Sequence, residues 1–463
     1  MPKNKSLSII IVGCGKVGTT LVEQLSREGH DITIIDKDRP LVESICATYD
    51  VMGVVGNGAS YSIQKEAGIE NTDLIIAVTE SDELNLLCCT VAKRVANCSA
   101  IARGRTPDYS QDVNYLRERL GLAMIFNPEL ECAREAARML SLPTALEVAA
   151  FAHGQAVLVT FKIPKGNKLD GMKLWDMSKI IPTEIETNVV ICAVERADQV
   201  HIPSGNFQLQ CGDEVSFVST RKIARRFLRT IGFKTRQVRS TMIIGGGRSS
   251  YYLAQELLAM GIDVKIIEKR RERCEELCEL LPDATIINGD GTSEALLTEE
   301  GIEYAESVVA LTGIDEENIL LTLHARNVSN AKVITKIKRI NFRNAINMLD
   351  LGSVIYPRYI TSEAIVAYVR AKHNSMNSNV ETLNYICENR VEAVEFRVNE
   401  SSAVTGRILK DLKPKMKKDI LIASINRDGQ ILIPSGIDTI EVGDSVMVVT
   451  THSGFNDILD ILA

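Results

Sequence analysis

The chain is built twice on one plan, and this duplication limits its fold more than any single motif does. SIIIVGCGKVGTTLVEQL at 8–25 aligns with STMIIGGGRSSYYLAQEL at 240–257, setting Gly13 against Gly245, and Asp36 meets Glu268 at the same offset. VVGNGAS (54–60) aligns with INGDGTS (287–293), and AVTESDELNLL (77–87) with ALTGIDEENIL (310–320). Further on, ICAVERADQVHIPSG (191–205) matches IASINRDGQILIPSG (422–436), and CGDEVSFV (211–218) matches VGDSVMVV (442–449). Self-similarity at a long, nearly constant interval means repeated structural units. At 463 residues the chain is also too long for one hydrophobic core.

Each half divides in two. In the first, LSIIIV, DITIID, VMGVVG, LIIAVT and SAIAR alternate with segments such as VGTTLVEQLSREG, whose apolar residues recur at helical spacing. Strands alternating with helices predict a parallel sheet covered on both faces, a Rossmann-like α/β domain. The remainder spaces its strand signals more closely (AVLVTFKI, VVICAVE, an IPSG turn, DEVSFVS), which predicts a small α+β domain with a mostly antiparallel sheet. The expected order is a Rossmann-like domain over 1–140, a small domain over 141–230, a second Rossmann-like domain over 231–365 and a second small domain over 366–463.

Residues 221–239 join the halves and hold eight Lys or Arg and no acid. They read as a solvated basic linker, helical at its start, with contact to an acidic partner or anionic lipid as the functional alternative.

A net charge of -7 argues against nucleic acid as the main partner. No apolar run approaches the roughly 18 residues needed to cross a bilayer, so a membrane role would be peripheral. The N-terminal MPKNKSLSIIIVGCG leads from a short apolar run straight into glycines, which reads as a first strand rather than a signal peptide. Eleven cysteines without a CxxC pair suggest a reducing cytoplasm. Cys274 and Cys278, one helical turn apart, lack the companions of a metal site, and no metal is expected.

Gly13, Gly15 and Gly18 form a GxGxxG between a strand and a helix. The first allows the tight turn, the second lets a pyrophosphate approach the backbone, and the third lets the helix pack closely. Asp36 ends the second strand near the spacing of about 20 residues at which a carboxylate accepts from the adenosine ribose hydroxyls, which favours NAD or NADH over NADP. The second copy reads Gly245, Gly246, Gly247, Arg248, with Ser250 at the third glycine position, Glu268 as ribose acid and Lys269, Arg270 and Arg271 adding positive charge. It is expected to take ATP, ADP or NAD, or to be structural.

A T-x-x-D-E-x-N segment follows the fourth strand of each copy, Thr79 to Asn85 and Thr312 to Asn318, where its side chains would either face the crevice or cap a helix. Arg103 and Lys336 occupy matching places after the fifth strands, within reach of phosphates or exposed at the surface. His153 and His201, in the first small domain, are read as surface residues, and no catalytic centre is expected.

GCGKVG, the terminal Asp36, VVGNGAS, AVTESDELN, IARGRTPDY, FNPE and the paired IPSG and GD elements together resemble the TrkA family, regulatory subunits of Trk-type potassium uptake systems, over essentially the whole chain. The resemblance implies two RCK (KTN) nucleotide-binding domains alternating with two RCK-C domains. It implies binding of NAD or NADH, and in several members ATP or ADP. It also implies a homo-oligomeric ring, cytoplasmic and peripheral on the inner face of the cell membrane, attached to a separate potassium-translocating subunit that it regulates without catalysis. Carried over by residue, the first site is Gly13, Cys14, Gly15, Lys16, Val17, Gly18, Asp36, Thr79, Glu80 and Arg103. Asn57 of the first copy stands where the second has Asp290, so the second site (Gly245, Gly247, Arg248, Glu268, Asp290, Thr312, Lys336) departs from the first. The competing readings are an NAD-dependent oxidoreductase and a nucleotide-sensing adaptor of another channel or antiporter.

Overall fold

The computed structural model describes residues 6–106, 113–197, 199–338, 349–373, 379–387 and 390–463. The chain groups into two compact units, Met1–Cys132 with Tyr356–Val369, and Ala133–Ile355 with Arg370–Ala463.

The first unit begins β1 (Ser8–Val12), α1 (Lys16–Arg27), β2 (Asp31–Asp36), α2 (Arg39–Thr48), β3 (Met52–Val55) and α3 (Tyr61–Glu66). It continues β4 (Leu74–Ala77), α4 (Asp82–Val95), β5 (Ser99–Arg103), α5 (Val113–Leu120) and β6 (Met124–Phe126). The six strands are parallel, in the order β3-β2-β1-β4-β5-β6. SIIIV and LIIA are apolar almost throughout because helices cover both faces of such a sheet. Helix α1 buries Leu21, Val22 and Leu25 along one stripe, and α2 starts where Asp38 accepts a hydrogen bond from the Leu41 N–H. Five of the strands match the apolar runs of the sequence. The sixth, MIF, is too short to register as a run and is set by pairing with β5. Because chain order reverses beside β1, the carboxyl ends of β1 and β4 flank a crevice, the usual place for a nucleotide in this strand order.

The second unit takes in the end of α6 (Pro128–Ser141) and then the first small domain: β7 (Glu147–Phe151), β8 (Ala156–Lys162), α7 (Thr183–Glu186), β9 (Val189–Arg196), β10 (Gln199–His201), β11 (Glu214–Thr220) and α8 (Arg221–Thr230). Its sheet, β10-β9-β11-β8-β7, is antiparallel. Phe161, Phe217, Phe227 and Phe233 meet edge to face in its core, with centroids 4.9–6.4 Å apart. Phe227 belongs to α8, so the first part of the expected linker is a docked helix that buries Ala224, Phe227 and Leu228.

The Rossmann plan then recurs as β12 (Ser240–Ile244), α9 (Arg248–Ala259), β13 (Asp263–Glu268), α10 (Arg271–Leu280), β14 (Thr285–Asn288) and α11 (Glu294–Glu299). It closes with β15 (Ser307–Ala310), α12 (Asp315–Val328), β16 (Lys332–Lys336) and β17 (Ser353–Ile355), parallel in the order β14-β13-β12-β15-β16-β17. After α13 (Pro357–His373) come β18 (Val380–Ile386), β19 (Val391–Arg397), α14 (Leu409–Leu412), β20 (Ile420–Arg427), β21 (Gln430–Leu432) and β22 (Ser445–Thr450). This second small sheet, β18-β19-β22-β20-β21, repeats the first strand for strand.

Two further features of the second unit bear on stability. One apolar cluster is shared by the two small sheets, joining Phe151, Leu158 and Cys192 to Ile386, Val391 and Met447. Around it, Arg390 pairs with Glu195, and the Ala152 N–H donates to both Glu395 carboxylate oxygens at 3.1 and 3.2 Å. Separately, Arg370, 1% exposed, forks onto Glu392 at 2.9 and 3.0 Å and also donates to the Tyr385 hydroxyl at 3.4 Å.

Candidate nucleotide sites

The loop between β1 and α1 uses its three glycines differently. Gly13 has φ +99°, and a Cβ there would lie 2.9 Å from the Thr79 backbone nitrogen, so both conformation and neighbour demand glycine. At Gly18 a Cβ would come within 1.9 Å of the Gly13 carbonyl oxygen. Gly15 is different: nothing among the described residues lies within 4 Å of a Cβ built there. As N-cap of α1 it offers no side-chain hydrogen bond to the first N–H groups of the helix. A bare glycine and an uncapped helix end are what a pyrophosphate needs. Lys16 is exposed and Val17 half-buried beside them.

Asp36 stands across this loop. Its Oδ2 accepts from the Cys14 N–H at 2.6 Å and its Oδ1 from the Asp38 N–H at 3.0 Å, which fixes the carboxylate while leaving lone pairs for ribose hydroxyls. The Cys14 thiol is buried and pushed up to about 12, by burial first and then by the charges of Asp36 and Cys46. It is a neutral filler.

The second site has the same frame with volumes exchanged. Gly245 has φ +100°, and Gly247 caps α9 with nothing within 4 Å of a Cβ and no side-chain cap. Glu268 accepts from the Gly246 N–H at 2.7 Å and the Arg270 N–H at 2.8 Å. Burial works against its charge, but these two backbone bonds and the Arg270 guanidinium hold the carboxyl below its ordinary range. A Cβ at Gly246 would meet the Glu268 Cβ at 2.9 Å. The first copy therefore pairs a cysteine with the shorter acid, and the second a glycine with the longer one. Gly246→Cys is expected to cost about 1–3 kcal/mol by overpacking, and adding Glu268→Asp to recover most of it; denaturant melts of the single and double variants test this, and additive losses would contradict it. Ser250 takes the third glycine position, its hydroxyl donating to the Gly245 carbonyl at 2.5 Å.

The positive charges expected at the second site are matched by carboxylates: Lys269 with Asp290 at 2.6 Å, Arg270 with Glu268 at 3.4 Å and Arg271 with Glu275 at 3.1 Å. The Lys269 ammonium and the Thr292 hydroxyl and N–H hold the Asp290 carboxyl well below the usual range. Its counterpart Asn57 is exposed and accepts from the Ala59 N–H at 3.2 Å. Arg248 is exposed at the start of α9. Arg273, which no motif marks and which aligns with Leu41 of the first copy, donates to the Gly246 carbonyl at 2.7 Å.

Most polar side chains of the T-x-x-D-E-x-N segments are engaged inside the protein. Asn85 accepts from the Thr79 N–H and hydroxyl, both at 2.7 Å, and donates to the Arg103 carbonyl at 3.0 Å, tying the ends of β4 and β5 together. Asn318 makes the same link between Thr312 and Lys336. Asp82 accepts from the Arg105 and Thr106 N–H groups at 2.7 and 2.9 Å. Its burial opposes ionisation, yet these bonds and the Thr106 hydroxyl hold the carboxyl low. Arg103 turns back to the Thr79 carbonyl and Lys336 to the Leu311 carbonyl. The buried Arg103 Nε has no hydrogen-bond partner among the described residues, and Glu80 is exposed at the crevice edge.

No group of three or more His, Cys, Asp or Glu residues that could hold a metal ion occurs among the described residues. Cys274 is buried, its thiol donating to the Glu268 carbonyl at 3.3 Å, while Cys278 is exposed. His201 is half-buried beside Phe207, centroids 5.4 Å apart. The side chain of His153 lies outside the described residues, as do residues 107–109 of IARGRTPDY.

The TrkA-N domain model matches residues 9–128 and 241–357, and the TrkA-C domain model matches 393–463. The chain is 30% identical over 460 residues to the Trk system potassium uptake protein TrkA homolog 1 of Methanosarcina mazei, covering 98% of this chain and 99% of that one. It is 32% identical over 443 residues to the Archaeoglobus fulgidus TrkA homolog (96% and 97% covered) and 31% identical over 444 residues to Halomonas elongata TrkA (96% and 95%). Among solved structures, the GsuK channel bound to NAD superposes with a TM-score of 0.62 at 17% identity, over 97% of this chain and 78% of that one. The GsuK RCK domain superposes equally well, over 97% and 93%, so the RCK fold is shared. With both copies of the Rossmann plan and the last small domain matched, the chain belongs to the TrkA family of Trk system potassium uptake proteins.

Proposed function

We propose that this chain is a nucleotide-binding regulatory subunit of a Trk-type potassium uptake system. It binds NAD or NADH in the first Rossmann crevice and acts as a homo-oligomeric ring on the cytoplasmic face of a separate potassium-translocating subunit. The observation that carries the reading is the first crevice itself: the open position at Gly15, the start of α1 without a side-chain cap and the anchored Asp36 carboxylate stand together. Near-full-length relatives carry the Trk potassium-uptake name, and no described helix is long and apolar enough to cross a membrane. The domain order 1–140, 141–230, 231–365 and 366–463 belongs to the same proposal.

Bound NADH would bring its anionic pyrophosphate and ribose hydroxyls, and the protein's part is to bind and orient them. The N–H groups of α1 receive the pyrophosphate, Asp36 accepts from the ribose, and Thr79 and Arg103 border the crevice. Asp82 and Asn85 are occupied in fixing the strand ends, so the groups turned to the crevice bind a ligand rather than move protons. The role is regulatory in this reading. A nucleotide shifts an equilibrium between two arrangements of the chain only by its differential affinity for them, and the membrane subunit would sense which arrangement prevails.

The second crevice differs by its ion pairs, Lys269 with Asp290 and Arg270 with Glu268, and is proposed to take ATP or ADP, or NAD more weakly. Calorimetric titration tests both sites. Asp36→Ala is expected to weaken NADH by about 10- to 100-fold, the worth of hydrogen bonds to a charged group, whereas Glu268→Ala should leave that affinity within about threefold. Unchanged NADH binding in Asp36→Ala would overturn the assignment.

A further inference from the structure

We propose that the exposed face of α8 is an adhesion surface for the anionic phospholipid headgroups of a bilayer. The helix RKIARRFLRT spends its apolar side, Ala224, Phe227 and Leu228, on the core of the first small domain, with Ile223 packed against it. Its outer side presents Arg221, Lys222, Arg225 and Arg229, all exposed, and the helix contains no acid. Arg221, Arg225 and Arg229 recur every fourth residue and so lie in one row about 12 Å long.

The carboxylate opposite this helix does not neutralise the row. Glu184 takes a two-pronged bond from Arg226 at 2.7 and 3.0 Å and also feels the charge of Lys222. Arg225 reaches only the Ser141 carbonyl, at 3.4 Å. Arg221 and Arg229 have no carboxylate partner among the described residues.

The duplication supplies an internal control. In the second copy the segment after β22, HSGFNDILDI, aligns with α8 in sequence but forms only a short 3-10 helix, Ile458–Ile461, with Phe455, Ile458 and Ile461 buried. Asn456, Asp457 and Asp460 replace Arg225, Arg226 and Arg229. Both segments bury apolar residues, and only the first carries the cations. The charge is an addition in the first copy, on a chain whose net charge is -7.

The chemistry of the row favours a headgroup layer over an acidic protein. No exposed apolar or aromatic residue of α8 stands among the cations, whereas protein interfaces centre on such anchors. With its apolar side already buried, the helix has nothing to insert into acyl chains, so it can only lie against a plane of phosphates. Each such cation contributes about fivefold in affinity, lost within a Debye length or in salt. The contact is weak singly and adds across the copies of an assembly.

The test is sedimentation of the full-length protein with vesicles of phosphatidylcholine alone or mixed with phosphatidylglycerol. Binding is expected only to the mixed vesicles and is expected to vanish at about 0.5 M salt. The triple variant Arg221→Gln, Arg225→Gln, Arg229→Gln should bind at least about 100-fold more weakly. The corresponding Glu triple should fall to background. Both variants should keep the wild-type melting temperature and NADH titration, so a failure here is distinct from a failure at the nucleotide site. Wild type that ignores the mixed vesicles, or a Gln triple that binds them as well as wild type, overturns the proposal. If wild type ignores vesicles while the variants lose coupling to the membrane subunit, the occupant is an acidic protein surface and the lipid proposal is equally overturned.

Discussion

Gly18→Val is expected to abolish NADH binding at the first site while the chain still folds. A Cβ at this position would stand 1.9 Å from the Gly13 carbonyl oxygen, and that oxygen belongs to rigid backbone, so the loop must move away from α1. Movement there separates the N–H groups at the start of α1 from Asp36, whose carboxylate is held through the Cys14 N–H at 2.6 Å. Losing two or more bonds to an anionic pyrophosphate, at about 1.5–3 kcal/mol each, amounts to at least about 100-fold in affinity. Folding should survive because Ser250 already places a side chain at the same point of α9. Calorimetry gives the affinity and circular dichroism the fold; an affinity within tenfold of wild type in a folded variant would contradict this account of the loop.

The second large effect is structural. Glu392→Ala is expected to destabilise the second small domain by about 3–5 kcal/mol, because it strands the Arg370 guanidinium in a site where that residue is only 1% exposed. Arg370 holds Glu392 with two bonds, and the Gly454 N–H adds a third to the same carboxylate at 3.3 Å. In the first copy the strand position of Glu392 is filled by Val157, buried and apolar, and the same sheet forms without an ion pair. The double variant Arg370→Met, Glu392→Val should therefore recover most of the loss. Urea melts followed by hydrogen exchange in β19 measure both; a single variant as stable as wild type would show that the pair is dispensable.

The sequence disclosed those features whose causes are local or repeated. The glycines announce the turn before α1 because φ +99° at Gly13 excludes other residues, and each strand buried on both faces leaves an unbroken apolar run such as LIIA. The repeat itself shows an acid at the end of the second strand twice, at Asp36 and Glu268. What stayed hidden depends on distant partners. Nothing near Asp82 in sequence says that its carboxylate will be taken by Arg105 and Thr106, more than twenty residues away. Arg103 and Lys336 carry charges suited to phosphate and turn instead to backbone carbonyls. The basic run at 221–230 reads as a linker because composition reports its charge, while its docking depends on three buried side chains at helical spacing. The exchange of Cys14 with Asp36 for Gly246 with Glu268 is visible in sequence only once the two positions are known to touch.

The apolar cluster shared by the two small sheets has an evolutionary consequence. Two identical subunits that meet across a twofold axis cannot change one side of their contact alone, since every substitution appears on both. Here the two sides belong to one polypeptide, so Phe151 and Met447 are free to differ, and Arg390 can find Glu195 without a reciprocal pair having to form. Fusing the copies released them from self-complementarity. That freedom lets the two copies differ, so that the first carries Arg225, Arg226 and Arg229 where the second has Asn456, Asp457 and Asp460.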